Sequence, residues 1–168
     1  MSVDTLPNLP AGTDVLLDAN IFIYAFSKKS RECIRLLERC AQEEVFGITT
    51  VEIINEVTHR MMLAEALAKS VISKEQADLL RGKTEAIKRL VDYWTHTSRI
   101  FSLNILILGL EDSRLRRAGG LRVIHGLLTN DSMILAAIDE FGIGCLASRD
   151  GDFDHIPGIT VYKPTDLP

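Results

Sequence analysis

The chain has 168 residues, 46% hydrophobic and 25% charged, an ordinary globular composition long enough for one good core. No apolar run reaches the roughly 20 residues of a membrane span, since even SLNILILGL stops at nine, and the start MSVDTLPNLPAGTD has neither the basic nor the apolar region of a secretory signal. A net charge of −4 does not mark the whole chain as a nucleic-acid binder, and three cysteines without paired spacing (Cys33, Cys40, Cys145) argue against a disulfide scaffold and for a reducing, cytoplasmic setting.

The elements alternate. DVLLD (14–18) reads as a buried strand, and ANIFIYAF starts a short helix directly after it. SRECIRLLERCAQEE (30–44) places Ile34, Leu37, Cys40 and Ala41 at helical spacing. VFGIT (45–49) is a second strand. Thr49 and Glu52 form a T-x-x-E capping box that opens a helix to about residue 68. Ser73 and Gln76 form another, opening a helical stretch to about Thr95 interrupted near Gly82. RIFSL (99–103) predicts a third, weaker strand. A helix through ILILGLEDSRLRRA is expected to stop at Gly119–Gly120, leaving GLRVIHGLL as a loop. Asp131 opens the helix DSMILAAIDEF, closed by Gly142, and the strands IGCLAS (143–148) and ITVYK (159–163) follow. The alternation predicts an α/β fold, a three-layer α/β/α arrangement around a parallel sheet of about five strands. No internal linker divides residues 1–168, and Pro7 and Pro10 bracket a loose lead over 1–13.

Acidic residues form four short islands, three of them where an apolar run ends or a helix begins: Asp18 in LLDAN, Glu56 inside the helix of TTVEIINEV, Asp131 in LLTNDSMILAA, and Asp150 and Asp152 in ASRDGDF. Each has a plain structural alternative. Asp18 and Asp131 suit helix caps, the D-G-D run suits a polar turn, and Glu56 suits a solvated helix face. Yet Glu56 has apolar neighbours in Ile53, Ile54 and Val57, which sets it at the margin of a buried stripe. In a parallel sheet the strand ends gather on one edge. Carboxylates collected there repel one another unless a cation lies between them, and hard divalent ions take such oxygen ligands. The pattern therefore points to a metal site that handles phosphate. Residues 81–125 carry nine Lys and Arg against four acids, a local balance of +5 that leaves −9 elsewhere. That basic segment either holds a phosphate backbone or forms solvated helix faces.

The ordered set LLDANIFIYAF, T-x5-E at Thr50–Glu56, LLTNDSMILAA, S-x-D-x-D-F at 148–153 and ITVYK resembles a PIN domain from about Val15 to Lys163, and within that family the VapC-like toxin ribonucleases. The resemblance implies Mg2+ or Mn2+ bound by Asp18, Glu56, Asp131 and Asp150, with Asp152 as the neighbouring candidate. Asn20 and Thr50 match supporting positions. It further implies cleavage of single-stranded RNA, an antitoxin protein as partner and a homodimer. Arg114, Arg116, Arg117 and Arg122 are the candidate RNA contacts of the basic segment. Residues 68–98 stand as a helical insertion relative to compact toxins. A catalytically silent PIN-like module binding RNA or protein is the alternative from another class. An aspartyl-nucleophile phosphatase would need Asp two residues after Asp18, where this chain has Asn20.

Overall fold

The computed structural model describes residues 4–168. Among them, five strands, β1 (Asp14–Leu17), β2 (Phe46–Thr50), β3 (Leu106–Leu108), β4 (Cys145–Ala147) and β5 (Thr160–Tyr162), form one parallel sheet in the order β3-β2-β1-β4-β5. Seven helices flank it: α1 (Ala19–Phe26), α2 (Arg31–Ala41), α3 (Val51–Ala68), α4 (Thr84–Ile87), α5 (Asp92–Ser98), α6 (Asp112–His125) and α7 (Thr129–Phe141). This is the α/β/α architecture predicted from the alternation of elements. Val15, Leu16 and Leu17 of central β1 are wholly buried. A strand covered by helices on both faces has no polar side, which is why its sequence is a continuous apolar run. No single helix among the described residues is long and apolar enough to cross a membrane.

The strand order places the site. After β1 the chain builds outward through β2 and β3, then returns to add β4 and β5 on the other side of β1. The reversal falls between β1 and β4, which pair from Val15–Cys145 to Leu17–Ala147. The crevice beyond the carboxyl ends of strands at such a switch point is where open α/β sheets bind ligands. Asp18 and Ser148 are the residues that follow β1 and β4.

Several local expectations are corrected. The third strand is not RIFSL. Arg99–Ser102 is a 3-10 turn continuing α5, with Ile100 fully buried, and β3 comes from the later LIL run. The break is made by Asn104, which adopts φ 53 and donates to the Ala41 carbonyl. α6 runs through Gly119–Gly120 and ends at Gly126 (φ 69). Buried Ala118 packs there against Met133 and Ala136 of α7, so tertiary contact outweighs the weak helix propensity of the glycine pair. The stretch 73–95 is three short pieces rather than one helix, a 3-10 turn at Ala77–Leu79, then α4 and α5, with Gly82 at φ 78 between the first two. The cap of α3 is Thr50, whose hydroxyl accepts from the Ile53 N–H, while Thr49 donates to the Leu17 carbonyl. The lead expected to be loose over 1–13 is tied down over 4–13, since Thr5 bridges Lys163 in parallel and Leu6 and Leu9 are buried. Its first three residues lie outside the described ones.

The segment after α3 has its own small core of Leu63, Ala66, Ile72, Leu80 and Leu90. It is fastened by Glu65, a buried carboxylate on α3. Glu65 accepts the backbone N–H groups of Val91 and Tyr93 at 2.9 and 2.8 Å, at the otherwise uncapped start of α5, and pairs with Lys69. Burial opposes its ionisation, but the Lys69 ammonium and the backbone donors outweigh burial and hold the carboxyl down to about 2. A depressed carboxyl contributes stability that is present above its ordinary value of 4.5 and is lost as pH falls toward 2. Glu65→Ala should therefore cost about 2 kcal/mol at neutral pH, because it leaves buried donors unpaired. In urea titrations the gap from the wild-type protein should narrow below about pH 4.5; a gap that does not move with pH would contradict the assignment.

Candidate metal centre

Asp18 leaves β1 and caps α1. Its Oδ1 accepts the Ala19 N–H at 2.6 Å, and its Oδ2 accepts the Ser148 hydroxyl at 2.6 Å and the Asn20 side-chain amide. Asn20 in turn donates to Ser148 Oγ and accepts the Arg149 N–H, while Ser148 Oγ accepts the Asp150 N–H. The first acidic residue is thus a helix cap as well as the centre of a polar knot joining the ends of β1 and β4. With 8% of its surface exposed, it is the most enclosed of the five predicted acids.

The others converge on the same place. Glu56 lies in the second turn of α3, Asp131 in the first turn of α7, and Asp150 and Asp152 in the loop after β4. All five line one cleft of about 740 Å³. Asn130 donates to Glu56 Oε2 at 3.3 Å, tying α7 to α3, and Asp150 Oδ1 accepts the Asp152 N–H at 3.0 Å. Asp154 faces away and pairs with Lys163. Thr50, predicted as a supporting residue, caps α3 and is not among the cleft residues.

The electrostatics of the cleft are unfavourable as it stands. Among the described residues none of the five carboxylates is in an ion pair. Burial pushes Asp18 from 3.8 up to about 6, against the hydrogen bonds from Ser148 and Ala19, with Glu56 and Asp131 adding to the rise. Asp131 is also raised, by burial first and then by the charges of Asp150, Asp152 and Glu56. Among the described residues no three acids meet around a single metal-sized point. They surround a shared space instead, as uncompensated like charges should. The donors are all anionic oxygens, which fits a hard divalent cation, and Mg2+ in particular keeps several waters between itself and such ligands.

The basic segment behaves differently from expectation. Arg114 is buried, with Nε on Glu140 at 2.8 Å, Nη1 on the Gly109 carbonyl at 2.8 Å, and its guanidinium over the Phe141 ring. It is therefore not an RNA contact. Arg117 pairs with Asp139, Arg116 with Asp112, and Arg122 donates to Ser132; none of the four lines the cleft. Glu52, expected in a capping box, faces Arg114 at 4.0 Å, and both its oxygens are buried without a hydrogen bond. Two site residues escaped the sequence reading. Ser148 is part of the S-x-D-x-D-F string with nothing in the sequence to pair it with Asp18, and Asn130 directly precedes Asp131 with nothing to pair it with Glu56.

The family model of the PIN domain matches residues 15–159. Among solved structures the chain is similar to a toxin–antitoxin complex from Klebsiella pneumoniae, with TM-score 0.53 and 23% identity over 86% of this chain and 94% of that one. It is also similar to VapBC2 from Rickettsia felis bound to a promoter DNA fragment, with TM-score 0.56 and 18% identity over 90% and 99%. A third is Mycobacterium tuberculosis VapC20, described as a sarcin-ricin loop cleaving toxin, with TM-score 0.58 and 13% identity over 88% and 98%. At these identities the likeness is one of fold. No curated protein matches the sequence.

Asp18 has a measurable consequence for the metal-free protein. A carboxyl raised from 3.8 to about 6 favours the folded state below pH 3.8 and loses that contribution as pH rises through 6. Two units correspond to about 3 kcal/mol. In EDTA, Asp18→Asn should therefore gain stability relative to the wild-type protein between pH 4 and pH 7, by up to that amount, in chemical denaturation followed by fluorescence. A constant difference across that range would show that Asp18 titrates normally.

Proposed function

The chain belongs to the PIN domain family, and on that premise we propose that it is a divalent-metal-dependent ribonuclease that hydrolyses phosphodiester bonds in single-stranded RNA, acting as the toxin of a toxin–antitoxin pair. The observation that carries this reading is the group of five uncompensated carboxylates at the β1–β4 switch point, with Asp18 buried among them. A silent binding module has no use for a group of uncompensated acids that destabilises it, whereas a metal-dependent hydrolase requires one.

Asp18, Glu56 and Asp131 would hold Mg2+ or Mn2+, with Asp150 or Asp152 completing the set. Such an ion supplies an activated water, charge stabilisation at phosphorus and help for the leaving oxygen. The chain's own residues prepare the site. Ser148, Asn20 and the Ala19 N–H fix both oxygens of Asp18. Asn130 holds Glu56 across from Asp131, its neighbour on α7. These orienting hydrogen bonds are the kind whose loss weakens a metal site as ligand loss does. The toxin role is supported by the fold shared with proteins described as toxins or toxin–antitoxin complexes, and it brings an antitoxin protein into the proposal as partner. A homodimer belongs to the same reading. Val123, Ile124 and Leu128 leave an exposed apolar corner between α6 and α7 that suits it.

The protein should cleave a single-stranded oligoribonucleotide with Mn2+ or Mg2+ and not in EDTA. Asp131→Asn and Glu56→Gln should each lower the rate by about 100-fold or more. Mn2+ at a hundredfold excess over its dissociation constant should stabilise the wild-type protein by about 2.7 kcal/mol, and Asp131→Asn by clearly less. Undiminished cleavage in EDTA, or a full Mn2+ shift in Asp131→Asn, would remove the metal assignment.

A further inference from the structure

An acid-lined cleft has a difficulty with its substrate. RNA is a polyanion, and five carboxylates oppose its approach. Even with one divalent ion neutralising part of that charge, phosphates flanking the reacting one lie within the roughly 10 Å over which exposed charges act at ordinary salt. Some cation at the cleft must receive them. The α6 arginines do not line it: Arg114, Arg116 and Arg117 are in ion pairs, and Arg122 donates to Ser132.

Two other cations line the cleft, Lys29 and Arg60. Lys29 stands in the turn between α1 and α2, next to Lys28, whose backbone reverses direction at φ 57. Arg60 lies on α3 four residues after Glu56, about 6 Å along the same helix face. Among the described residues Lys29 makes no ion pair, and Arg60 makes one, to Glu75 at 3.9 Å. Glu75 comes from the segment that follows α3 and lines the same cleft. The two side chains remain 55% and 39% exposed, so the pair is held loosely and is open to exchange.

Resting on the nuclease reading above, we propose that Lys29 and Arg60 bind RNA phosphates flanking the scissile one, and that Glu75 competes with the strand for Arg60. The segment between α3 and α5 thereby sets the affinity of the cleft for RNA. A carboxylate on Arg60 occupies the guanidinium that a phosphate would otherwise take, and the better-matched anion displaces it. Strands that place a phosphate at Arg60 recover the ion pair; shorter ones do not.

The test measures binding and turnover of a fluorescent single-stranded oligoribonucleotide by the full chain with Mn2+. Binding is read by anisotropy in an Asp131→Asn background and turnover in the wild-type background. Arg60→Gln and Lys29→Gln should each weaken binding about 3- to 10-fold and raise KM with kcat nearly unchanged. Each should also flatten the log–log salt dependence by about 0.7. Glu75→Gln should tighten binding about threefold, and should give little or no gain once Arg60 is Gln. Arg81→Gln, on the same segment but paired with Asp78 and outside the cleft, is the control. Melting temperatures should hardly change, since the altered side chains are exposed. Arg60 and Lys29 variants that match the control in affinity and salt slope would overturn the inference. So would a Glu75→Gln gain that is the same with or without Arg60. A wild-type protein that neither binds nor cleaves RNA with Mn2+ would instead remove the nuclease reading, and the inference with it.

Discussion

The hydrogen-bonded knot around Asp18 is the interaction on which the site depends. It ties the end of β1 to the loop after β4, the two strands between which the sheet reverses. Asp18 occupies a point where three demands coincide. The backbone leaves a fully buried strand, a helix begins with unpaired N–H groups, and the cleft opens beyond. One carboxylate meets all three, because one oxygen caps α1 while the other anchors Ser148 and Asn20. The capping and site readings of Asp18 are therefore not rivals. Asp131 differs: the N-cap of α7 is Leu128, without a side-chain cap, and Asp131 lies in the first turn, where a negative charge suits the helix N-terminus.

This double use explains what the sequence made legible. Acids that end an apolar strand or begin an apolar helix are visible as breaks in the hydropathy pattern, and the strand order then brings them together. Asp18, Asp131, Asp150 and Asp152 are legible this way, Glu56 by its place at the margin of the stripe of Ile53, Ile54 and Val57, and the parallel sheet by the alternation of elements. The missed features depend on contacts distant in sequence. β3 is a three-residue edge strand recognisable only by its pairing with β2. The glycine pair of α6 is held helical by the α7 surface it packs on. Arg114 reads as a solvated cation until Glu140, 26 residues away, is placed beside it. Asn130 has no visible role until α3 brings Glu56 within reach of its amide.

The segment between α3 and α5 is attached through one buried carboxylate more than through its own core. Its small apolar cluster is separate from the main core, so burial alone fastens it weakly. Glu65 makes up the difference by capping α5 from within α3, using a buried charge that is fully met by Lys69 and backbone donors. α3 thus carries Glu56, Arg60 and Glu65 along one helix, and the attachment of the segment is registered against the cleft. Glu75 takes its place at the cleft wall as a consequence of that register.

The distribution of compensated charge separates acids that are ion-paired in the fold from the acids of the candidate metal centre. Glu65, Glu140, Asp139 and Asp154 each have a cationic partner within 3 Å. Among the described residues Asp18, Glu56, Asp131, Asp150 and Asp152 have none, although Arg149 follows Ser148 and Arg60 shares a helix with Glu56. Arg149 is turned to the Tyr24 hydroxyl and ring instead, and Arg60 to Glu75. Among the described residues neither forms an ion pair with any of the five acids. A fold that buries an aspartate near pKa 6 and directs adjacent cations elsewhere gives up stability at one place. On the proposed reading the return on that loss would be a cation of higher charge, because a divalent ion relieves several carboxylates at once and still has coordination positions free for water and phosphate.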